Sequence, residues 1–360
     1  MKKIIIFILF PCILLSLFGC NIKPSAPTYK TRSRDISTVY FNTYSMLSTY
    51  ADESDEKIES YVEIAEETLS YYHKLFDIYY EYAGVNNIKT INKNAGKNPV
   101  AVDEAMLDFL EYCKQLYTIT NGKTNVMLGS VLKIWHECRE EAEDDFGYLS
   151  PEYLPTDEEL SEAAKHCDID ALVIDRENST VYISDPKASL DVGAIAKGYT
   201  VDILYEKIKA MGATSTVLNI GGSIRAIGTR PTGEDWVVGI TNPHRTTEKP
   251  FACRIHFGNT ALVTSGDYER YFISGEEKYH HIIDPVTNQP ARYFSAVSIL
   301  TEESALADAL STALFCMSYE EGAALVRSLT ESGKKLEVLW IDREGNQKMT
   351  DGFASLIVKE

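Results

Sequence analysis

The order of apolar and polar positions divides the chain into a helical first part and a strand-rich second part. Over residues 56–73, Ile58, Tyr61, Val62, Ala65, Leu69 and Tyr72 recur on one helical stripe, which predicts an amphipathic helix with its aromatics in a core. Residues 103–117 repeat the pattern with Met106, Leu107, Leu110, Cys113 and Leu116 inward. A further helix is expected through Trp135, after the loop Asn121-Gly122-Lys123. Residues 39–50 alternate like a strand, and 86–92 read as a polar turn. The acidic stretch 137–158, with Pro151 and Pro155, is expected to be a solvated, mobile insertion or a surface that selects a protein substrate.

From Ala171 onward short strands dominate. Residues 171–175 and 180–184 predict a hairpin, and 216–220 and 224–228 flank a Gly221-Gly222 bend. Residues 236–241, 254–257, 279–283 and 297–300 are expected to continue the same sheet. Helices over 197–211, 304–317 and 320–332 would cover it, and 338–342 with a turn at Glu344-Gly345-Asn346 forms a closing hairpin. The fold class expected is α+β, with no internal repeat.

Polar groups that are costly to gather cluster in the second part. Thr264-Ser265-Gly266-Asp267-Tyr268-Glu269-Arg270 and His280-His281-Ile282-Ile283-Asp284-Pro285 bring a Gly-Asp turn, paired imidazoles and an Asp-Pro turn together. In Ala307-Asp308-Ala309-Leu310-Ser311-Thr312, Asp308 and Thr312 stand one helical turn apart on one face. Two hard oxygens suit magnesium, although such a pair on a small-residue helix is more often a cap or a solvated edge. Asp191-Val192-Gly193-Ala194-Ile195-Ala196-Lys197-Gly198 opens a helix, where free N–H groups, the dipole and Lys197 favour an anion.

Together Asp191-x-x-Ala194-x-x-Lys197-Gly198, Leu218-Asn219-Ile220-Gly221-Gly222, the Thr264–Arg270 and His280–Pro285 segments and Asp308-x-x-x-Thr312 resemble the ApbE family, the FAD:protein FMN transferases. The likeness runs from about Val39 to the C-terminus. It implies an ApbE-like fold with a flavin cleft between the helical and sheet-rich parts. It also implies an enzyme that uses magnesium and takes FAD as substrate, moving FMN to a Thr or Ser hydroxyl of a target protein and releasing AMP. The metal ligands implied are the Ala194 carbonyl and the side chains of Asp308 and Thr312. Asp191, Lys197 and the Lys123-Thr124-Asn125 segment match FAD-contacting positions, and Tyr79 is a candidate to stack on or edge the isoalloxazine ring. Phe41-Asn42-Thr43 is the nearest match to a Met-Gly-Thr sequence that lines the flavin, which makes Phe41 a further contact.

Displacement at a pyrophosphate phosphorus needs charge neutralisation and a base for the incoming hydroxyl. Magnesium and Lys197 would supply the first. His281 is favoured as the base, with His280 as a flavin-site contact; adjacent strand residues face opposite ways, so only one imidazole is expected in the cleft. Asp284 is expected to cap the Asp-Pro turn more than to orient the imidazole. Two other outcomes share these residues: an FAD pyrophosphatase releasing FMN and AMP, and a lipoprotein that binds FAD without turnover.

The start of the chain bears on location. Met1-Lys2-Lys3 precedes an apolar run over 4–18, and Leu17-Phe18-Gly19-Cys20 resembles a bacterial lipobox. The run is shorter than the roughly 18–20 residues that span a bilayer, so residues 1–19 are expected to be a cleaved signal, with Cys20 lipidated. Residues 20–37 would form a flexible tether and 38–360 the enzyme domain, anchored to the membrane on its extracytoplasmic side. A formal charge of −18 argues against nucleic acid as partner and requires a local positive site to attract FAD. The acceptor expected is a membrane redox-complex subunit. The 7 cysteines show no CxxC spacing, so no zinc site or disulfide framework follows.

Overall fold

The computed structural model describes residues 31–50 and 53–359. The expected signal segment, Cys20 and the first part of the tether therefore lie outside the described residues. At the centre is an 8-stranded sheet. Its strands are Thr31–Ile36, Ser45–Tyr50, Thr216–Ile220, Ser223–Ile227, Ala261–Gly266, Phe294–Thr301, Leu336–Asp342 and Gln347–Met349. They neighbour one another in chain order and every pairing is antiparallel. The chain leaves this meander for long excursions, and the candidate site forms where they return.

Phe294–Thr301 shows how both sheet faces are used, since it is buried at every position. Successive strand side chains point to opposite faces. Val297 and Ile299 enter the core that holds Leu306, Ala309, Leu310 and Leu314 of the Ser304–Phe315 helix. Ala296 and Leu300 join Trp236, Ile255, Phe257 and Phe353 on the other side. Burying such large apolar side chains contributes about 1.5–3 kcal/mol each. The Trp236–Thr241 and Phe251–Phe257 strands pair as a separate hairpin that covers this second face, and Tyr271–Ser274 with Glu277–His280 form another. Neither continues the central sheet, contrary to the sequence expectation.

The first excursion carries the helices Asp55–Phe76, Ile88–Lys93, Glu104–Ile119, Gly129–Asp144, Asp157–Ala164 and Ala196–Ala210. Met106, Leu107, Leu110, Cys113 and Leu116 are all buried, as their periodicity requires. Three expectations need correction. Residues 31–36 of the expected tether are an edge strand paired with Ser45–Tyr50. The polar 86–92 turn is a short helix, because the fully buried Asn87 accepts from the Thr90 amide as its N-cap. The acidic 137–158 stretch is ordered: Cys138, Ala142 and Leu149 are buried in one cluster with Trp135, and Thr156 caps the helix that follows in a capping box with Glu159.

Candidate active site

Asp308 sits near the middle of the Ser304–Phe315 helix, and that helix is fixed from its first turn. Asp202 accepts from the Ser304 and Ala305 amides at 2.8 and 2.9 Å and pairs with Arg225. Beside it runs the Ala196–Ala210 helix, in contact at Gly198, where a Cβ would come within 2.3 Å of the Ser304 carbonyl oxygen and 2.8 Å of Asp308 Oδ2. Glycine is thus required for close approach. The Gly198 amide donates to Asp308 Oδ2 at 2.5 Å, and Lys197 Nζ lies 3.1 Å from Asp308 Oδ1 and 2.6 Å from Ser223 Oγ. Asp308 is only 6% exposed. Burial raises its pKa and Lys197 opposes the rise.

A buried carboxylate of this kind favours a cation. Thr312 follows one turn later, half-buried, and Ala194 lies half-buried just before the Ala196–Ala210 helix. Among the described residues no cluster of three His, Cys, Asp or Glu side chains is present. The ligands that the family resemblance implies are one carboxylate, one hydroxyl and one carbonyl, all hard oxygens. That set fits magnesium, which takes few protein ligands and fills its shell with water and phosphate oxygens.

The Asp191 segment is set against the helical part. Its amide donates to the Val126 carbonyl at 2.8 Å, and Asn92 brackets Leu190 with hydrogen bonds to both its backbone groups. Asp191 Oδ1 accepts from the Gly193 amide, while Oδ2 is 3.7 Å from His136 Nε2. Tyr79 is 48% exposed, and its hydroxyl is 3.3 Å from His136 Nδ1.

The Lys123-Thr124-Asn125 segment is placed differently from the expectation of FAD contacts. Lys123 Nζ pairs with Asp284 Oδ1 at 3.0 Å. The Thr124 hydroxyl is buried and donates to the Ala309 carbonyl at 2.7 Å. Asn125 donates to the Cys167 carbonyl at 2.8 Å. These side chains join the helical part to the Asp308 helix and the Asp-Pro turn. Asp284 accepts from the Val286 amide, the turn role expected of it.

The two histidines separate sharply. His280 is 4% exposed, its Nε2 donates to the Ala291 carbonyl at 2.8 Å and its Nδ1 accepts from the Ile282 amide at 3.2 Å. With both ring nitrogens engaged by backbone, His280 is a structural residue and not the flavin contact expected. Burial pushes its pKa down to about 4. His281 is half-buried and uses only Nδ1, as donor to the Arg270 carbonyl at 3.2 Å. Burial, the Arg270 guanidinium and His280 push its pKa down to about 3, so the ring is neutral with an Nε2 lone pair.

Residues 41–339 match the ApbE family. The chain belongs to the ApbE family. Its relatives include a protein of Treponema pallidum named FAD:protein FMN transferase, 34% identical over 255 residues and 67% of each chain. One of the same name from Haemophilus influenzae is 28% identical over 327 residues, 89% of each chain. The crystal structure of the ApbE protein from Thermotoga maritima superposes with a TM-score of 0.76 at 26% identity, covering 92% of this chain and 100% of that one. The flavin transferase ApbE from Vibrio cholerae gives a TM-score of 0.72 at 22% identity, covering 91% and 100%, and shares the fold.

Phe41-Asn42-Thr43, the nearest match to the Met-Gly-Thr sequence, lacks the glycine. In Phe41-Asn42-Thr43 both Phe41 and Asn42 adopt left-handed backbone angles, φ 54° and 50°. Asparagine is among the few side chains that tolerate that region. Thr43 is clasped by Gly221, whose Cβ would meet the Thr43 side chain at 2.5 Å. Phe41 is half-buried with its ring edge-on to His73 at 5.7 Å. Sequence reasoning passed over Ser223, which holds Lys197, and His136, which links Tyr79 to Asp191. The signal for His136 was its place beside Trp135, at the border of the buried stripe of its helix.

Proposed function

We propose that this protein is a magnesium-dependent FAD:protein FMN transferase that attaches FMN to a Thr or Ser hydroxyl of an acceptor protein and releases AMP. The observations that carry this reading are the buried Asp308 carboxylate with Lys197 against it and, on the His280–Pro285 segment, a neutral His281 whose Nε2 carries no hydrogen bond. Family membership and the names of the relatives support the reaction class.

Asp308, Thr312 and the Ala194 carbonyl would hold magnesium, which when bound neutralises charge on the pyrophosphate oxygens. Lys197 adds its ammonium to the same phosphates from the start of its helix, at the positive end of the helix dipole. His281 Nε2 takes the proton from the acceptor hydroxyl as its oxygen forms a bond to the FMN phosphorus. The bond from that phosphorus to the bridging oxygen breaks, and AMP departs with the electron pair. His281 Nδ1–H stays on the Arg270 carbonyl, which keeps the ring oriented through the transfer. Asp191 and Tyr79 bind FAD, and Phe41 closes the flavin side.

The lipobox-like Leu17-Phe18-Gly19-Cys20 and the apolar run before it support an enzyme held outside the cytoplasmic membrane by lipid on Cys20. The acceptor then belongs to a membrane redox complex exposed on that side. Incubation with FAD, magnesium and candidate acceptor subunits, followed by intact mass measurement, tests the reading. A mass gain of one FMN on the acceptor, absent with chelator, is expected. FMN found only in solution would mean hydrolysis instead.

A further inference from the structure

The Gly129–Asp144 helix carries a histidine that the reaction above does not use. His136 follows Trp135, whose indole N–H donates to the Asn288 carbonyl at 2.9 Å and whose ring stacks on Tyr279 at 5.8 Å. Trp135 therefore pins this turn of helix to the segment that follows His281 and Asp284. From that fixed point His136 reaches in two directions. Its Nδ1 is 3.3 Å from the Tyr79 hydroxyl and its Nε2 is 3.7 Å from Asp191 Oδ2. Its side chain is 19% exposed and that of Asp191 12%.

We propose that His136 is a positioning residue for FAD, holding the Tyr79 ring and the Asp191 carboxylate in register across the cleft; this rests on the assignment of both as FAD contacts.

One proton arrangement serves all three groups. The Tyr79 hydroxyl donates to Nδ1, leaving Nε2–H directed at Asp191. Asp191 Oδ1 is already taken by the Gly193 amide, so Oδ2 is the oxygen that His136 steadies. The Tyr79 backbone amide is held by Asp77 at 2.6 Å, while its side chain is half exposed and meets His136 and Arg139 at its hydroxyl end. Burial lowers the His136 pKa while Asp191 opposes, and Arg139, Glu140 and Arg270 are the other charges facing it. The neutral form that can accept from Tyr79 is therefore the one favoured. Without His136, the tyrosine ring and the carboxylate must be ordered by FAD itself, at an entropic cost borne by binding and not by the chemical step.

The test is a set of His136→Ala, His136→Asn, Tyr79→Phe and the Tyr79→Phe/His136→Ala double variant, each confirmed folded by thermal melting. FAD affinity is read from flavin fluorescence quenching without acceptor, and FMN transfer from kcat and KM for FAD. His136→Ala is expected to weaken FAD binding and raise KM about tenfold with kcat within about twofold of wild type, the signature of lost binding and not lost chemistry. Asparagine, whose amide oxygen can accept near the position of Nδ1, is expected to recover part of the loss. The double variant should be no worse than the weaker-binding single variant, because the effects act through one contact chain. Unchanged FAD affinity in His136→Ala, fully multiplicative effects in the double variant, or a fall in kcat at constant KM would each overturn the inference while leaving the transferase reading in place. A wild-type protein that neither binds FAD nor transfers FMN would remove both.

Discussion

Lys197 Nζ lies 3.1 Å from Asp308 Oδ1, so the carboxylate at the heart of the site already has an internal cation. Asp308 is buried and Lys197 keeps part of its side chain in solvent. The ammonium offsets the cost of a buried charge and stays mobile enough to turn toward a phosphate.

Lys197→Ala leaves that carboxylate without its partner. Breaking a buried pair costs about 3–5 kcal/mol, and the partial exposure of Lys197 sets this case at the lower end. The Asp308 pKa, already raised by burial, then rises further. The folded variant holds a proton that the unfolded chain has released above about pH 4, so its stability falls as pH rises through that window toward neutral. Thermal melts should show a wider gap from wild type at about pH 8 than at about pH 5.

The paired imidazoles are expected to fail differently when removed. His281→Ala should lower FMN transfer by about 10²–10⁴-fold with the fold intact, the usual range for a lost general base. His280→Ala leaves the Ala291 carbonyl and the Ile282 amide without partners, at about 1–3 kcal/mol for each buried group. Its transfer rate per folded molecule should stay far closer to wild type. Rates normalised to folded protein, with melting temperatures beside them, separate the two.

Much of this layout can be read from the apolar pattern, because the 104–119 helix buries residues at helical spacing, whereas the Phe294–Thr301 strand is buried on both faces and shows no alternation. What the pattern hides is tertiary. The 137–158 stretch is so rich in acid that the small buried Cys138 and Ala142 do not register as a stripe. His280 and His281 are neighbours whose difference lies in partners more than ten positions away, Ala291 and Arg270. Thr124 resembles a ligand-binding residue locally, yet its hydroxyl is spent on a helix met only in the folded chain.

The low pKa of His281 sets the acid side of the activity profile. Its pKa is pushed down to about 3, so the ring keeps its lone pair as pH falls past the ordinary histidine value of about 6.5. In a rate-versus-pH measurement, kcat/KM for FAD is expected to stay level from about pH 7.5 down to about pH 5.5. A half-maximal point near pH 6.5 that disappears in a His281 variant would contradict this account of the base.

Thr124→Val removes a hydroxyl while nearly keeping the side-chain shape. The hydrogen bond to the Ala309 carbonyl is lost, and stability should drop by about 1–2 kcal/mol. KM for FAD should not change, since the hydroxyl faces the helix. A denaturant melt and an FAD titration of the same preparation check both statements, and a large rise in KM with little loss of stability would restore Thr124 as a ligand contact.

The most direct test counts AMP released and flavin covalently attached in one reaction containing FAD, magnesium and an acceptor subunit, for wild type and for Asp308→Ala. The account predicts one AMP for each flavin bound to the acceptor with wild-type enzyme, and neither product with the variant. AMP and free FMN accumulating without attached flavin, or undiminished transfer by Asp308→Ala, would contradict it.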